Sequence, residues 1–170
     1  MRMKRDVGSM KRVIVIGSPG SGKSTLARKL HEKTGLPLYP LDNVWWKQDR
    51  THVTREAFDA ALAEILQADE WIIDGNYSRT VEPRIKACDT VIFLDYDEDV
   101  CMQGITERVG QTRPDIPWTE KELDPELIDL VLHFRERNGP LLSELFRRYA
   151  DRTILIFHDR EEADAWLQSV

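Results

Sequence analysis

The chain has 170 residues, of which 41% are hydrophobic and 32% charged, and its formal net charge at pH 7 is −6. This length is typical of one globular domain with its own core. The acidic balance argues against broad electrostatic attraction to nucleic acid, so direct DNA binding is not expected. No apolar run approaches the length of a membrane span or resembles the core of a signal peptide, so no membrane partner is expected.

The two cysteines and the N-terminal residues add little to the fold. Cys88 and Cys101 are far apart and form no zinc or disulfide framework, so a reduced, cytoplasmic setting is predicted. Residues 1–11 are polar and basic, and we expect a flexible arm there, followed by a single domain over residues 12–170. The sequence leaves open whether residues 1–9 are native or translation begins at Met10.

The first predicted elements surround a glycine-rich motif. Val13–Ile16 is a short apolar, β-branched run, as expected for a buried parallel strand. Directly after it, a stretch fits the phosphate-binding pattern G-x-x-x-x-G-K-[ST] in full: Gly17-Ser18-Pro19-Gly20-Ser21-Gly22-Lys23-Ser24. A helix is predicted from Thr25 to Thr34, ended by Gly35. A strand, a glycine loop and a helix in this order predict a P-loop.

The spacing of the motif matches the chemistry of a bound nucleoside triphosphate. Glycines allow backbone N–H groups to turn towards a polyanion, and the helix N-terminus adds partial positive charge. Lys23 is placed to reach the β- and γ-phosphates, the Ser24 hydroxyl to bind Mg²⁺, and Thr25 to contact the α-phosphate. The motif therefore predicts ATP or GTP together with Mg²⁺ as ligands, with residues 17–25 forming the binding loop.

The rest of the chain alternates strands and helices, which favours a parallel α/β sheet with helices on both faces. Four further strands are predicted: Pro37–Leu41, Trp71–Ile73, Thr90–Leu94 and Thr153–Phe157. Helices are predicted after a Thr54 cap, over Glu98–Val109, from Asp124 and Pro125 onward, from Pro140, and over Glu161–Gln168. In the two helices before the last strand, Leu127, Leu130, Val131 and Phe134, and then Leu141, Leu142, Leu145 and Phe146, are expected to face the core.

Two aspartates follow predicted strands. Asp74 ends the third strand, where a Mg²⁺–nucleotide site needs a carboxylate that binds the metal directly or through water, although Asp-Gly-Asn is also good turn chemistry. Asp42 follows the second strand and could bind a phosphoryl acceptor or take its proton, or could form a turn with Asn43. Trp45 and Trp46 come next and could stack on a ring or cover the edge of the core.

Phosphoryl transfer also needs cations around the migrating group. The candidates are Arg79, Arg84, Arg108, Arg113, Arg135 and Arg137. Each alone could equally be a surface charge, and Arg135 and Arg137 could complement a helix dipole. Arg113 lies beside Pro114 in an irregular stretch where a closing lid is expected. Only Arg50 and Arg55 lie between the second and third strands, which argues against a standard nucleotide acceptor.

This layout resembles the nucleoside-monophosphate-kinase group of P-loop proteins. Adenylate kinases carry a strand ending in D-G-F-P-R-T, and Asp74–Thr80 is similar but one residue longer and without the proline. The resemblance implies that Asp74 supports Mg²⁺ binding and that Arg79 binds a phosphate of the acceptor. It also implies that Arg108 and Arg113 are lid arginines. It also implies a five-stranded parallel sheet in the order 2-3-1-4-5 and a short lid over about 108–124, too short to hold zinc.

A closer resemblance covers nearly the whole chain. The stretches Leu41–Trp46, Trp71–Ser78 and Thr112–Asp115 resemble the bacterial DNA topology modulation (FlaR-type) proteins, small adenylate-kinase-like ATP-binding proteins. We therefore predict a Mg²⁺-dependent kinase that transfers the ATP γ-phosphoryl group to a nucleotide, a nucleoside or another small alcohol. Lys23, Asp42, Arg79, Arg108 and Arg113 are the predicted catalytic residues. The alternatives are a non-enzymatic ATP-dependent regulator of DNA topology or of a protein partner, and a weak ATPase without an acceptor.

Overall fold

The computed structural model describes residues 9–114 and 116–170. Most of the predicted N-terminal arm, and Asp115 of the predicted lid, lie outside the described residues. Met10 packs against the core, and the Lys11 backbone N–H donates to Asp89 Oδ2 at 3.0 Å. The packed domain therefore extends at least to Met10, two residues before the predicted boundary.

Five parallel strands form one sheet in the order β2-β3-β1-β4-β5, which confirms the predicted topology. The strands are β1 Arg12–Gly17, β2 Leu38–Pro40, β3 Trp71–Asp74, β4 Thr90–Leu94 and β5 Thr153–Phe157. The central strand β1 pairs with β3 on one side and β4 on the other, so that Ile14 lies opposite Ile73 and Val91. All carboxyl ends of the strands therefore meet at one edge of the sheet.

Eight α-helices cover the sheet within the described residues. They are α1 Lys23–Thr34, α2 Leu41–Trp45, α3 Arg55–Gln67, α4 Val81–Ala87, α5 Glu98–Glu107, α6 Pro125–Leu132, α7 Phe134–Arg148 and α8 Arg160–Gln168. None of these helices is long and apolar enough to cross a membrane.

Local sequence signals set the ends of several helices. Gly35 ends α1 at φ 75°, where its N–H donates to the His31 carbonyl. Thr54 caps α3 by accepting from the Ala57 N–H, and Asp124 caps α6 by accepting from the Glu126 N–H. These caps satisfy backbone donors that the first helical turn would leave without partners. The predicted starts of α3 and α6 are confirmed.

The predicted start of a helix at Pro140 is wrong. Pro140 lies inside α7, which begins six residues earlier at Phe134. His133 separates α6 from α7. Leu130 and Leu141, both expected in the core, are 48% and 38% exposed. The other predicted core residues of these helices are buried or partly buried.

Side chains of β1 alternate between two cores, one on each face of the sheet. Val13 and Val15 pack with the first core, and Ile14 and Ile16 with the second. Each of the four is at most 1% exposed. Both cores therefore fix the end of β1, and with it the start of the glycine loop, from opposite sides.

A close backbone contact joins this loop to α5. A Cβ atom built on Gly104 would lie 2.0 Å from the Gly20 carbonyl oxygen, and one on Gly20 would lie 2.0 Å from the Cys101 carbonyl oxygen. Both distances are far below van der Waals contact. The loop can lie against this helix only because both positions are glycine.

We therefore expect Gly104→Ala to lower the stability of the protein by about 1–3 kcal/mol, because α5 and the loop must separate. Gly139→Ala is the matched control, since Gly139 also lies inside a helix and a Cβ there meets no atom within 4 Å. Helix propensity alone would stabilise that variant by up to about 1 kcal/mol. Urea unfolding midpoints give both values. Equal shifts in the two variants would contradict the contact.

Candidate active site

The glycine loop turns the chain from β1 into α1. Gly20 and Gly22 have φ values of 80° and 89°, in the left-handed region that glycine adopts without strain. The Ser21 N–H donates to the Ser18 carbonyl at 3.1 Å, and both of these serines are buried. The loop is thus folded on itself, and α1 begins directly at Lys23.

Arg160, at the start of α8, binds the glycine loop directly. Its guanidinium donates to the Gly20 carbonyl at 3.1 Å and to the Ser21 carbonyl at 3.2 Å. It also lies over the Tyr96 ring at 5.7 Å. These contacts fix the conformation of the loop at Gly20 and Ser21. Sequence reasoning missed this residue because nothing near Arg160 in the chain marks a contact about 140 positions away.

A first cavity of about 330 Å³ lies over this loop. The predicted loop residues that line it are Gly20, Gly22, Lys23, Ser24 and Thr25. Its charged lining is five cations, Lys23, Arg28, Arg108, Arg113 and Arg160, and one carboxylate, Glu107. Such an excess of positive charge at a helix N-terminus suits a polyphosphate.

The first cavity is not lined by the other predicted loop residues, which are Gly17, Ser18, Pro19 and Ser21. Of these, Pro19 lines a second cavity, described below. Ser18 and Ser21 are 5% and 1% exposed. The Gly17 N–H donates to Asn76 Oδ1 at 3.2 Å, which ties the loop to the segment that follows β3.

Glu120 joins the two lid arginines. Arg108 Nε lies 3.1 Å from Glu120 Oε2, and Arg113 Nη1 lies 3.7 Å from the same oxygen. All three side chains are at most 20% exposed. Both arginines line the first cavity together with residues of the glycine loop. Sequence reasoning did not single out Glu120.

A second cavity, also of about 330 Å³, adjoins the first and shares Lys23, Ser24, Arg108 and Arg113 with it. Asp42 lines this second cavity at the start of α2, and its Oδ1 accepts a hydrogen bond of 2.6 Å from Tyr77 Oη. Burial, followed by the charge of Asp42, raises the pKa of Tyr77, so the tyrosine remains a donor. Tyr77 therefore fixes one carboxylate oxygen of Asp42, and the carboxylate has a second oxygen for a ligand.

Three tryptophans form much of the wall of the second cavity: Trp45, Trp46 and Trp118. Trp45 stacks on His52 with ring centroids 4.2 Å apart and also meets Phe58 edge-on, so it supports the core as well as the cavity. Trp46 meets Trp118 edge-on at 5.4 Å, which connects the segment after β2 with the lid. Trp45 therefore covers the edge of the core, and both tryptophans line the second cavity.

The loop after β3 is held by a buried arginine. Arg84 is fully buried and donates to the carbonyls of Thr80, Gly75, Asn76 and Tyr77. Burial lowers the pKa of Arg84 to about 10, while the negative charge of Asp74 partly offsets this by raising it. Arg84 therefore stays protonated at neutral pH. Arg84, considered above as a cation for the migrating group, is instead bound to backbone oxygens.

Asp74 and Arg79 lie on either side of this loop. Asp74 ends β3 and is 4% exposed. It pairs with Val15 of β1, two residues before the glycine loop begins. Arg79 forms two hydrogen bonds with the Asp59 carboxylate, of 2.7 and 3.0 Å, on the exposed surface of α3. Of the predicted catalytic residues, the structure brings Lys23, Asp42, Arg108 and Arg113 together around the second cavity. Arg79 does not line either cavity in the described part of the chain.

Arg135 and Arg137, which sequence reasoning left open, also bind carboxylates. Arg135 lies 3.3 Å from Asp95 and 3.5 Å from Asp97, and Arg137 lies 2.9 Å from Asp129. All of these pairs are partly exposed, where an ion pair contributes about 0–1 kcal/mol.

Comparison with known proteins fits this geometry. The chain is 30% identical to the adenylate kinase of Mycobacterium ulcerans over 136 residues, which cover 79% of this chain and 68% of that protein. The chain belongs to the adenylate kinase family of P-loop kinases. It is also 28% identical to the adenylate kinase of Encephalitozoon cuniculi over 162 residues, covering 78% of this chain and 87% of that protein. No protein-family model matches the chain. The prediction of a P-loop kinase is confirmed.

Solved structures show the same fold. A shikimate kinase from Bacteroides thetaiotaomicron superposes with a TM-score of 0.63 at 21% identity, covering 95% of this chain and 96% of that one. A shikimate kinase from Acinetobacter baumannii in complex with shikimate gives a TM-score of 0.65 at 15% identity, covering 95% and 91%. At these identities the likeness shows the fold alone.

Proposed function

We propose that the protein transfers the γ-phosphoryl group of Mg·ATP to a hydroxyl group of a small acceptor. The observation that carries this proposal is the pair of adjoining cavities, with Lys23, Ser24, Arg108 and Arg113 common to both. A donor in the first cavity and an acceptor in the second would meet at these residues. Holding both reactants in one geometry is a large part of phosphoryl-transfer catalysis.

In the proposed reaction the acceptor oxygen forms a bond to the γ-phosphorus while the bond from that phosphorus to the bridging oxygen of ADP breaks. The proton of the acceptor hydroxyl passes to the Asp42 carboxylate, which Tyr77 holds in place. Lys23, Arg108 and Arg113 stabilise the negative charge on the transferred group and on ADP. Lid closure over the second cavity excludes water, which would otherwise take the phosphoryl group.

The proposed magnesium site consists of Ser24 and Asp74. A hydroxyl and a carboxylate are hard oxygen donors, and Mg²⁺ keeps several of its own waters, so few protein ligands suffice. Because Asp74 is buried, we propose that it would hold the metal through a water molecule and not directly. When bound, Mg²⁺ neutralises the charge of the phosphates and orients them.

We also propose kinship with the FlaR-type proteins, on the basis of the stretches Leu41–Trp46, Trp71–Ser78 and Thr112–Asp115. A small-molecule acceptor fits the net charge of −6 better than DNA does. Both cysteines are free and buried, which supports a reducing compartment such as the cytoplasm.

The direct test measures Mg·ATP consumption by the purified protein with nucleosides, nucleoside monophosphates and small alcohols, with phosphorylated products identified by mass. We expect Lys23→Ala to weaken Mg·ATP binding by at least about 100-fold and to abolish transfer, because the phosphates lose a fixed positive charge. Lys29→Ala is the control, since Lys29 lies exposed on the same helix. Unchanged nucleotide affinity in Lys23→Ala would overturn the site. ATP binding without transfer to any acceptor would favour the regulator.

Asp42→Asn should reduce the rate of transfer by about 100-fold or more while ATP affinity is unchanged, because an amide cannot take the proton. Tyr77→Phe keeps the carboxylate but removes its hydrogen bond, so we expect a smaller loss. Single-turnover rates with saturating Mg·ATP measure both. Normal rates in Asp42→Asn would assign Asp42 to the turn at the start of α2.

Asp74→Asn should raise the Mg²⁺ concentration for half-maximal activity by about tenfold, as expected for a residue that holds the metal through water. The measurement is a Mg²⁺ titration at fixed ATP, with thermal unfolding as a check on the fold. A superimposable titration in a folded variant would remove Asp74 from the proposed site.

A further inference from the structure

The two adjoining cavities differ sharply in the charge of their linings. Beyond the shared Lys23, Arg108 and Arg113, the first cavity has the cations Arg28 and Arg160 and one carboxylate. The charged residues that line the second cavity but not the first are all carboxylates: Asp42, Glu120, Asp124 and Glu126. Glu120 is committed to the lid arginines and Asp124 to the cap of α6, but each still adds negative charge.

The arginines that could have offset these carboxylates are bound elsewhere. Arg79 pairs with Asp59 on the outer face of α3, and Arg84 is buried among backbone carbonyls. Arg50 lies over the Trp118 ring at 5.7 Å and lines a third cavity, which shares Trp118 with the second, but it does not line the second cavity itself. A phosphate or carboxylate group of an acceptor, placed away from the shared Lys23, Arg108 and Arg113, would therefore lie among carboxylates. None of Arg50, Arg79 and Arg84 would bind it.

Much of the remaining wall of the second cavity is apolar and aromatic. This part is formed by Trp45, Trp46, Ile116, Trp118, Leu127 and Leu130. The exposure of Leu130, unexpected for a core residue, is explained by its place in this wall. Indole rings provide a flat apolar surface, and their faces also attract organic cations. Arg50 on Trp118 shows that one of these rings already accepts a cation.

From these observations we infer that the phosphoryl acceptor is an alcohol without negative charge, uncharged or cationic, with a flat or apolar portion that packs against the tryptophans. The inference rests on the proposed function, since it names the kind of molecule that occupies its acceptor cavity. It separates this chain from the adenylate kinases that it resembles, because a nucleoside monophosphate carries a phosphate group into the acceptor site. The acceptor hydroxyl lies towards Asp42 and the shared cations, and the rest of the molecule towards Trp46 and Trp118.

The test uses acceptors matched in shape and different in charge. One series is adenosine, adenosine 5′-monophosphate and 5′-amino-5′-deoxyadenosine, and a second is glycerol, glycerate and 3-amino-1,2-propanediol. Binding to protein loaded with Mg²⁺ and a non-hydrolysable ATP analogue is followed by the indole N–H signals of Trp46 and Trp118, assigned with Trp46→Phe and Trp118→Phe. Transfer from ATP is measured in parallel.

We expect adenosine and 5′-amino-5′-deoxyadenosine to shift both indole signals, and the uncharged or cationic members of each series to bind at least about tenfold more tightly than the anion of the same series. An anion that binds as tightly as its uncharged counterpart would overturn the inference. A panel in which no uncharged or cationic member shifts the signals would overturn it as well. If adenosine 5′-monophosphate is converted efficiently to ADP, the inference fails and the acceptor group is a phosphate instead of a hydroxyl, while phosphoryl transfer from ATP stands. If the charge preference holds but no member is phosphorylated, the proposed function is the part in doubt.

A charge-reversal pair separates the second cavity from the third, because Glu126 lines both cavities and Glu122 lines the third but not the second. Glu126→Lys should raise the affinity for the anionic members by at least about tenfold, because it places a cation in the lining of the second cavity. Glu122→Lys makes the same change of charge four residues earlier, where the side chain lines only the third cavity, and should alter these affinities less than twofold. Equal effects of the two substitutions would show a general response to net charge and would overturn the inference.

Discussion

The buried guanidinium of Arg84 is the constraint on which the arrangement of the site depends. It is fully buried, and a charge at such a position is tolerated only when its donors have partners. The carbonyls of Gly75, Asn76 and Tyr77 supply them. These bonds hold Tyr77 at φ 36°, a conformation that costs a residue with a side chain about 1–3 kcal/mol.

This one segment then positions parts of both cavities. Asn76 accepts from the Gly17 N–H at the start of the glycine loop, and Tyr77 donates to Asp42 on the acceptor side. A shift of the segment would move the loop and the proposed base together. The distance between donor and acceptor therefore depends on backbone contacts around Arg84 as well as on the sheet.

The fold could be predicted from the sequence because its signals are local. A β-branched run, a glycine loop and a helix occupy consecutive positions in β1 and α1, and caps such as Thr54 act within three residues. The alternation of such elements, with the family resemblance, was sufficient for the strand order. Pro140 misled the prediction because proline is common at helix starts, yet here the flanking turns of α7 continue through it.

The candidate site was predictable only in part, for the same reason. Lys23 lies within a motif, and Asp42 and Asp74 follow strands, so their neighbours in sequence identify them. Arg160 and Glu120 act through partners that are distant in sequence or in an irregular segment, and no pattern marks them. The position of the Arg79 side chain could not be predicted, because the family resemblance indicates an arginine there but does not indicate its ion pair with Asp59.

The proposed donor and acceptor sites depend on different parts of the chain, and this difference would allow the acceptor to change while the fold is kept. The donor side depends on backbone N–H groups, two left-handed glycines and the glycine contact with α5, so few substitutions there are compatible with the loop. The acceptor side depends on side chains from α2, the lid and the start of α6. Those side chains can change without disturbing β1 or its neighbours, and here they form an aromatic, acidic wall. The fold therefore fixes the phosphoryl donor far more strictly than it fixes the molecule that receives the phosphoryl group.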